Sequence, residues 1–386
     1  MSDDLLPPGA CLLHVGPYKT GSSAIQAALH HRRAALREHG VLYAGSTARA
    51  RRPGWAVIGV TPRGRRTATI EEWLELADEV RAAADLRVCV STEDLARVDA
   101  AVARRVVEDL GPSRTQVLTV VRRLDRLLPS QWQQRAQSFK TDDYDEYLHA
   151  VLDRDGPEDH PSRRAFWASH DVGKVLGTWS TAASPAHVIA VVADEEDRAL
   201  LPRTFEQLLG LPNGLLQEAT GSNPSLSHNA VELLRRLNVL AQDRGWPDEV
   251  YARVVREAAH AMKYTGRSEH DVTVPRLPGW AADRVRELSE QRADALVAAG
   301  VRVVGDPDGL RVVEASEGAG GSVDTVAIDT VVRAVKGAVA ADAAVLPQRT
   351  EASDAGAARS VEEASTRELV GLLARRTSAR LRAVRR

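Results

Sequence analysis

The chain has 386 residues, 44% of them apolar and 27% charged, with a formal net charge of −2. That length supports a sizeable core and one or two domains. The near-neutral balance argues against a specific nucleic-acid partner. The two cysteines, Cys11 and Cys89, sit apart in apolar runs without a neighbouring Cys or His at ligand spacing, so they read as reduced core thiols and not as a zinc site.

No window approaches the roughly 20 apolar residues that span a bilayer. The start, Met1-Ser2-Asp3-Asp4-Leu5-Leu6-Pro7-Pro8, lacks the charged and apolar regions of a signal peptide. The expectation is a cytoplasmic protein.

In chain order, Ala10-Cys11-Leu12-Leu13-His14-Val15 is a short apolar run between Pro7-Pro8-Gly9 and Gly16-Pro17, which predicts a buried strand. Helical spacing follows over 22–36, with Ile25, Ala28 and Leu29 on one face. Residues 40–69, rich in Gly, Pro and the arginines Arg49, Arg51, Arg52, Arg63, Arg65 and Arg66, read as irregular. A helix is predicted over 70–84, a strand over 86–90 and a helix over 96–110. A third strand over 116–121 ends in Arg122-Arg123, and a helix runs from about 125 to 137.

A fourth strand is predicted over 187–192. Residues 196–310 read as mostly helical, with a small α/β turn near 301–306. This alternation predicts an α/β fold, a parallel sheet flanked by helices, with a mostly helical second half. Beyond 313 the composition changes. Residues 314–346 read as a flexible joint and one helix, and 347–365 as a linker. The final twenty residues carry seven arginines and one glutamate. They read as a solvated tail rather than a membrane-binding or nucleic-acid-binding one. The Arg-rich 49–66 stretch reads as an anion-accepting loop or as solvated surface.

The segment with the clearest chemistry is Gly16-Pro17-Tyr18-Lys19-Thr20-Gly21-Ser22-Ser23, between the first strand and the first helix. A helix N-terminus offers unpaired N–H groups and partial positive charge, glycines let an anion approach, and Lys19 adds a full charge. The segment is suited to a phosphate. Lys19 precedes Gly21, unlike a Walker A loop, in which Lys follows the second glycine. No predicted strand ends in a magnesium-holding aspartate, and no His, Cys, Asp or Glu cluster has metal-ligand spacing.

The order Lys19-Thr20-Gly21-Ser22-Ser23 after a strand resembles the 5′-phosphosulfate loop of sulfotransferases that use PAPS (3′-phosphoadenosine 5′-phosphosulfate). Their 3′-phosphate site pairs an Arg at a strand end with a Ser eight residues on. Arg122 and Ser130 stand in that relation here. Residues 9–313 resemble bacterial, particularly actinobacterial, sulfotransferase-like proteins. The matching stretches are Leu13-His14-Val15-Gly16, Ser91-Thr92-Glu93, Leu128-Pro129-Ser130-Gln131-Trp132-Gln133, Asn223-Pro224-Ser225-Leu226, Glu232 to Asn238, and Val304-Gly305-Asp306.

The resemblance implies a P-loop NTPase-like sulfotransferase fold and PAPS as sulfuryl donor without a metal. It implies donor contacts from Tyr18, Lys19, Thr20, Gly21, Ser22, Ser23, Arg122 and Ser130, and catalytic roles for Lys19 and Glu93. Glu93 would be the base, with Asp94 as fallback, and the acceptor a small molecule or carbohydrate. His14 reads as a core histidine, His170 as a surface or packing residue, and Trp132 as core or as acceptor-cleft lining. Two departures stand out. Ala24-Ile25 occupies the place of the adenine-stacking aromatic of animal enzymes, and Arg267 is a weak substitute for their later Arg-Lys-Gly motif. The alternatives are a P-loop-like kinase or ATPase and a catalytically silent binding protein on the same fold.

Overall fold

The computed structural model describes residues 5–62, 65–153, 156, 157, 159–217, 225–264, 277–314 and 325–343. Among them six strands form one parallel sheet. They are β1 (Cys11–Gly16), β2 (Val41–Tyr43), β3 (Arg87–Ser91), β4 (Thr115–Val121), β5 (Val188–Val192) and β6 (Arg302–Val304), in the order β2-β3-β1-β4-β5-β6. The helices between the strands are α1 (Ser22–His31), α2 (Arg33–Glu38), α3 (Arg51–Ile58), α4 (Ile70–Ala82), α5 (Ala100–Leu110), α6 (Leu124–Ala136), α7 (Tyr144–Leu152), α8 (Pro161–His170), α9 (Val172–Ala183), α10 (Leu200–Leu209), α11 (His228–Asp243), α12 (Asp248–Tyr264) and α13 (Gly279–Ala298). The last described helix is α14 (Ile328–Ala343).

The chain divides into two compact units. The first comprises Met1–Leu128, Tyr147–Asn223 and Arg276–Ala319, and the second Pro129–Glu146, Pro224–Pro275 and Gly320–Arg386. The sheet belongs to the first. Its strands are continuous apolar runs because both faces are covered. On one face Leu13, Val15, Val90, Val117 and Ala190 pack with Trp73, Leu76, Val106, Leu176 and Trp179. On the other Leu12, Cys89, Leu118, Val120 and Ile189 meet Ile25, Leu29, Phe205 and Leu208. The period-2 alternation along each strand sorts neighbours to opposite faces. Both cysteines are free and buried, and burial pushes the Cys11 thiol up to about 12.

The second unit holds the later part of α6 with α11, α12 and α14. Trp132 is buried there, donates from Nε1 to the Asp142 carbonyl at 3.0 Å, and packs against Tyr144 and His228. It is therefore a core residue. Asn238 closes the turn after α6 by donating to the carbonyls of Ala136 (2.8 Å) and Lys140 (2.6 Å), and it accepts from the Tyr251 hydroxyl at 2.7 Å.

Several expectations are corrected. The 40–69 stretch is not irregular throughout: it contains β2 and α3. The apparent breaker Pro53 sits in the first turn of α3, where its missing N–H costs nothing. The predicted 22–36 helix is two helices, α1 and α2, separated at Arg32. The 96–110 helix starts later, at Ala100, capped by the Asp99 carboxylate, and a 3-10 turn over Glu93–Arg97 precedes it. The turn near 301–306 contributes the edge strand β6.

In the second unit, α14 packs closely on α12 at Gly337, where an added Cβ would clash with the Glu257 carbonyl oxygen and lie 2.7 Å from the Ala261 Cβ. Alanine inside a helix ordinarily stabilises by about 1 kcal/mol over glycine. Gly337→Ala is expected to do the opposite and to cost about 1–3 kcal/mol through overpacking. Thermal melting would read this, and a raised Tm would show that the helices are not in such close contact.

Candidate functional site

In open parallel sheets, ligands bind beyond the carboxyl ends of strands where the strand order reverses direction. Here that point is β1, flanked by β3 on one side and β4 on the other. The chain leaves β1 into the 16–21 loop, leaves β3 into Glu93, and leaves β4 into Arg122. The structure therefore brings the predicted loop, base and arginine of the first unit to one end of adjacent strands.

The loop is bent by left-handed residues. Gly16 has φ 90°, Lys19 φ 70° and Gly21 φ 96°. For Lys19 this conformation costs on the order of 1–2 kcal/mol. Gly16 is required sterically as well, since a Cβ would lie 2.8 Å from Glu93 Cα and 3.0 Å from Glu93 Cβ. Gly21 occupies the N-cap position of α1. Among the described residues no side chain caps α1, and its first turn holds no acid. The Ala24 N–H bonds to the Gly21 carbonyl at 3.1 Å, which leaves the N–H groups of Ser22 and Ser23 as the helix-terminal donors.

The hydroxyls of the loop divide by direction. Thr20 and Ser22 are buried and turn inward, with Thr20 Oγ1 donating to the Pro17 carbonyl at 2.7 Å and Ser22 Oγ 3.3 Å from the same carbonyl. Behind them runs a polar chain: Gln26 donates to Ser91 Oγ at 3.0 Å, Ser91 Oγ lies 2.8 Å from His14 Nδ1, and His14 Nε2 lies 3.4 Å from Ser22 Oγ. His14 is a core residue, as its sequence context predicts. Desolvation lowers its pKa to about 3, so it is neutral and ties the loop to β3.

Glu93 and Asp94 have opposite roles. The Asp94 carboxylate accepts from Tyr18 Oη and Trp55 Nε1, each at 2.9 Å, and from Arg97 Nη2 at 2.8 Å. It fixes the loop and α3 in place. Glu93 is 3% exposed, and among the described residues its Oε2 has no hydrogen-bond partner. Burial pushes its carboxyl above the usual range, and the positive charges of Arg49, Arg51 and Lys19 oppose that shift. The Tyr18 phenol is pushed up by burial and then by Asp94 and Glu93.

The sequence left open whether the 49–66 arginines accept an anion or solvate the surface. The structure separates them. Arg49 donates to Ser23 Oγ at 2.6 Å and stands 3.8 Å from Glu93 Oε2. Arg51 lies close enough to Glu93 and Tyr18 to lower both pKa values. Arg52 and Arg66 instead clamp Glu72, at 3.0 and 2.8 Å, and serve structure. Arg63 lies outside the described residues.

Arg122 leaves β4 with its guanidinium already engaged. Nε and Nη2 donate to the two carboxylate oxygens of Glu195, at 2.6 and 2.8 Å, and Nη1 donates to the Lys19 carbonyl at 2.8 Å. The guanidinium fork thus holds the loop and pairs with Glu195, a residue sequence reasoning missed. Two acidic residues following a strand, Glu195-Glu196, carry no distinctive signal. Arg292, buried, donates to the carbonyls of Arg122 (2.9 Å) and His170 (3.2 Å). His170 is buried rather than on the surface, packed on Phe166. Ser130 is half-buried in α6 and belongs to the second unit. Arg267 and the Asn223-Pro224 pair lie outside the described residues.

Among the described residues no cluster of three or more His, Cys, Asp or Glu is placed to hold a metal ion, and no helix is long and apolar enough to cross a membrane. No protein-family model and no curated protein matches the chain. Among solved structures, the chain is similar to the crystal structure of a sulfotransferase from Alicyclobacillus acidocaldarius, with 13% identity and a TM-score of 0.36, over 64% of this chain and 100% of that one. At that TM-score the likeness carries no weight, and the functional reading rests on the residues described above.

Burying Glu93 has a consequence for stability. Its folded pKa is raised, so the folded state binds the proton more tightly than the unfolded chain does. The cost is absent below the ordinary carboxylate pKa and grows as pH rises through the raised value. Glu93→Gln is therefore expected to raise Tm at pH 7, with the difference from wild type closing near pH 4. A pH-independent difference would mean that Glu93 is not held away from water.

Proposed function

We propose that this chain is a PAPS-dependent sulfotransferase, moving a sulfuryl group to a hydroxyl or amine of a small-molecule or carbohydrate acceptor, with residues 9–313 as its sulfotransferase-like domain. The observation that carries the reading is Glu93: a buried carboxylate with an unbonded oxygen, pressed against a lysine-bearing loop at an uncapped helix N-terminus. Such a group suits a general base, because desolvation brings its pKa towards the working pH.

The site also fits the donor's anionic groups. Lys19 and the first N–H groups of α1 would hold the 5′-phosphosulfate, with the Ser23 hydroxyl and Arg49 beside them. Arg122 is assigned to the 3′-phosphate. The donor supplies an activated sulfuryl group on a phosphate leaving group. In the transfer Glu93 takes the acceptor's proton as the acceptor oxygen or nitrogen bonds to sulfur. The sulfur–oxygen bond to the phosphate breaks, and its electron pair stays on the phosphate oxygen. Lys19 and the α1 N-terminus stabilise that charge. Thr20 and Ser22, turned inward, shape the loop and contribute backbone N–H groups rather than hydroxyls.

One observation favours a second reading, a silent binding protein: the Arg122 fork is filled by Glu195. Calorimetry of PAP, the desulfated product, against ATP distinguishes the two. A transferase is expected to prefer PAP, to lose on the order of tenfold or more in affinity with Lys19→Ala or Arg122→Ala, and to gain affinity with Glu195→Gln, which frees the fork. Absence of PAP binding by both wild type and Glu195→Gln would sink the transferase reading.

Catalysis supplies the other test. Glu93→Gln should lower kcat by about 10²–10⁴-fold while PAP still binds. Arg49→Ala removes a charge that lowers the Glu93 pKa, so the acid limb of the rate profile should move to higher pH. An unmoved limb would show that another group titrates.

A further inference from the structure

A second charged cavity lies in the first unit, apart from the loop. It measures about 720 Å³ and is walled by α8, the first turn of α9 and one face of α13. That volume suits a small organic ligand. Its apolar floor includes Val151, Val172, Leu288 and Ala295, and the Trp167 ring lines one side.

The polar lining is mostly cationic. Arg163, Arg164, Lys174 and Arg292 all line it, against the single carboxylate of Asp171. Arg284 also lines it but is paired with Glu287 at 2.8 Å. Among the described residues Arg164 and Lys174 have no ion pair. The Arg163 guanidinium bonds to the Asp153 carbonyl, and Arg292 bonds to the carbonyls of Arg122 and His170, so neither bond neutralises a charge. Asp171 accepts from the Lys174 N–H at 3.0 Å, and its charge acts on Arg292. Arg292 is 5% exposed, and desolvation lowers its pKa to about 10.

A chain of net charge −2 thus concentrates uncompensated cations around one apolar-floored cavity. Like charges left facing one another across a cavity repel, and an anion removes that repulsion. The N-terminus of α9 at the cavity wall is capped by the Asp171 carboxylate. Four cations against one carboxylate leave a surplus of positive charge larger than a single unit anion balances.

We propose that this cavity binds a small organic molecule bearing at least two anionic groups, phosphate, sulfate or carboxylate, with its carbon skeleton on the apolar floor. The site is separate from the Lys19 loop and does not depend on the transferase reading.

The test uses the full chain carrying Lys19→Ala, which weakens anion binding at the loop. Inorganic pyrophosphate and citrate serve as phosphate and carboxylate probes, titrated by calorimetry. At least one is expected to bind one-to-one. Adding Arg164→Ala and Lys174→Ala should weaken that binding on the order of tenfold or more, and Lys174→Arg should preserve it. Arg164 and Lys174 are exposed, so these changes leave the core intact, as circular dichroism would confirm. Binding to wild type that vanishes with Lys19→Ala, no binding at all, or unchanged affinity in the Arg164/Lys174 variant would each overturn the proposal. The stronger probe identifies the preferred anionic group.

Discussion

The contact between Gly16 and Glu93 governs the geometry of the site. Two loops leave the carboxyl ends of adjacent strands and meet so tightly that the first has no room for a side chain. That closeness puts a carboxylate out of water beside the turn that carries Lys19. Burying a carboxylate with an unbonded oxygen costs stability. The fold supports that cost with two apolar layers against the sheet and with Asp94, which ties Tyr18, Trp55 and Arg97 around the same corner. Neighbouring acids thus divide the work: Asp94 holds structure and leaves Glu93 unspent.

The unpaired atoms point the same way. Among the buried side-chain atoms that lack a hydrogen-bond partner in the described residues are Arg51 Nε, Thr92 Oγ1 and Glu93 Oε2. Arg51 acts electrostatically on Glu93, and Thr92 adjoins it in sequence. Folded proteins satisfy nearly all such atoms. A cation, a hydroxyl and a carboxylate are thus left without hydrogen-bond partners on the segments that follow β2 and β3.

Much of the sheet was legible because its central strands are apolar runs bounded by Gly and Pro, and both faces of a covered parallel sheet are apolar. The strands β1, β3, β4 and β5 and the 16–23 loop were read from that pattern. The short edge strands carried too little: β2 has three residues, and β6 read only as a turn. Helix α3 was hidden because Arg51-Arg52-Pro53-Gly54 resembles a breaker. Its glycine is needed where a Cβ would lie 2.8 Å from Thr92 Oγ1, a tertiary fact with no local signal. Missing α3 also hid which arginines reach the site. Glu93 stood out at a strand end, but only its unbonded oxygen separates it from Asp94, which is equally buried and accepts three hydrogen bonds.

Arg122 shows the limit of reading roles from position. Its place at the end of β4 marks it in the sequence as a cation beside the loop, and the structure keeps it there while spending its donors on Glu195 and on the Lys19 carbonyl. The bidentate pair fixes the plane of the guanidinium, and the third donor fixes the loop. Against desolvation, the Arg122 hydrogen bond and charge, with smaller contributions from Arg126 and Arg123, hold the Glu195 carboxyl below its usual range, so the acid stays ionised. An ionised carboxylate on an arginine fork matches a phosphate in charge sign and in spacing of oxygens. The fork is thereby preorganised for an oxyanion at all times, and a phosphate entering there must compete with an internal anion. Under the proposed function, that competition makes the strength of the Arg122–Glu195 pair, rather than the mere presence of Arg122, the quantity that would set how tightly the fork grips a phosphate.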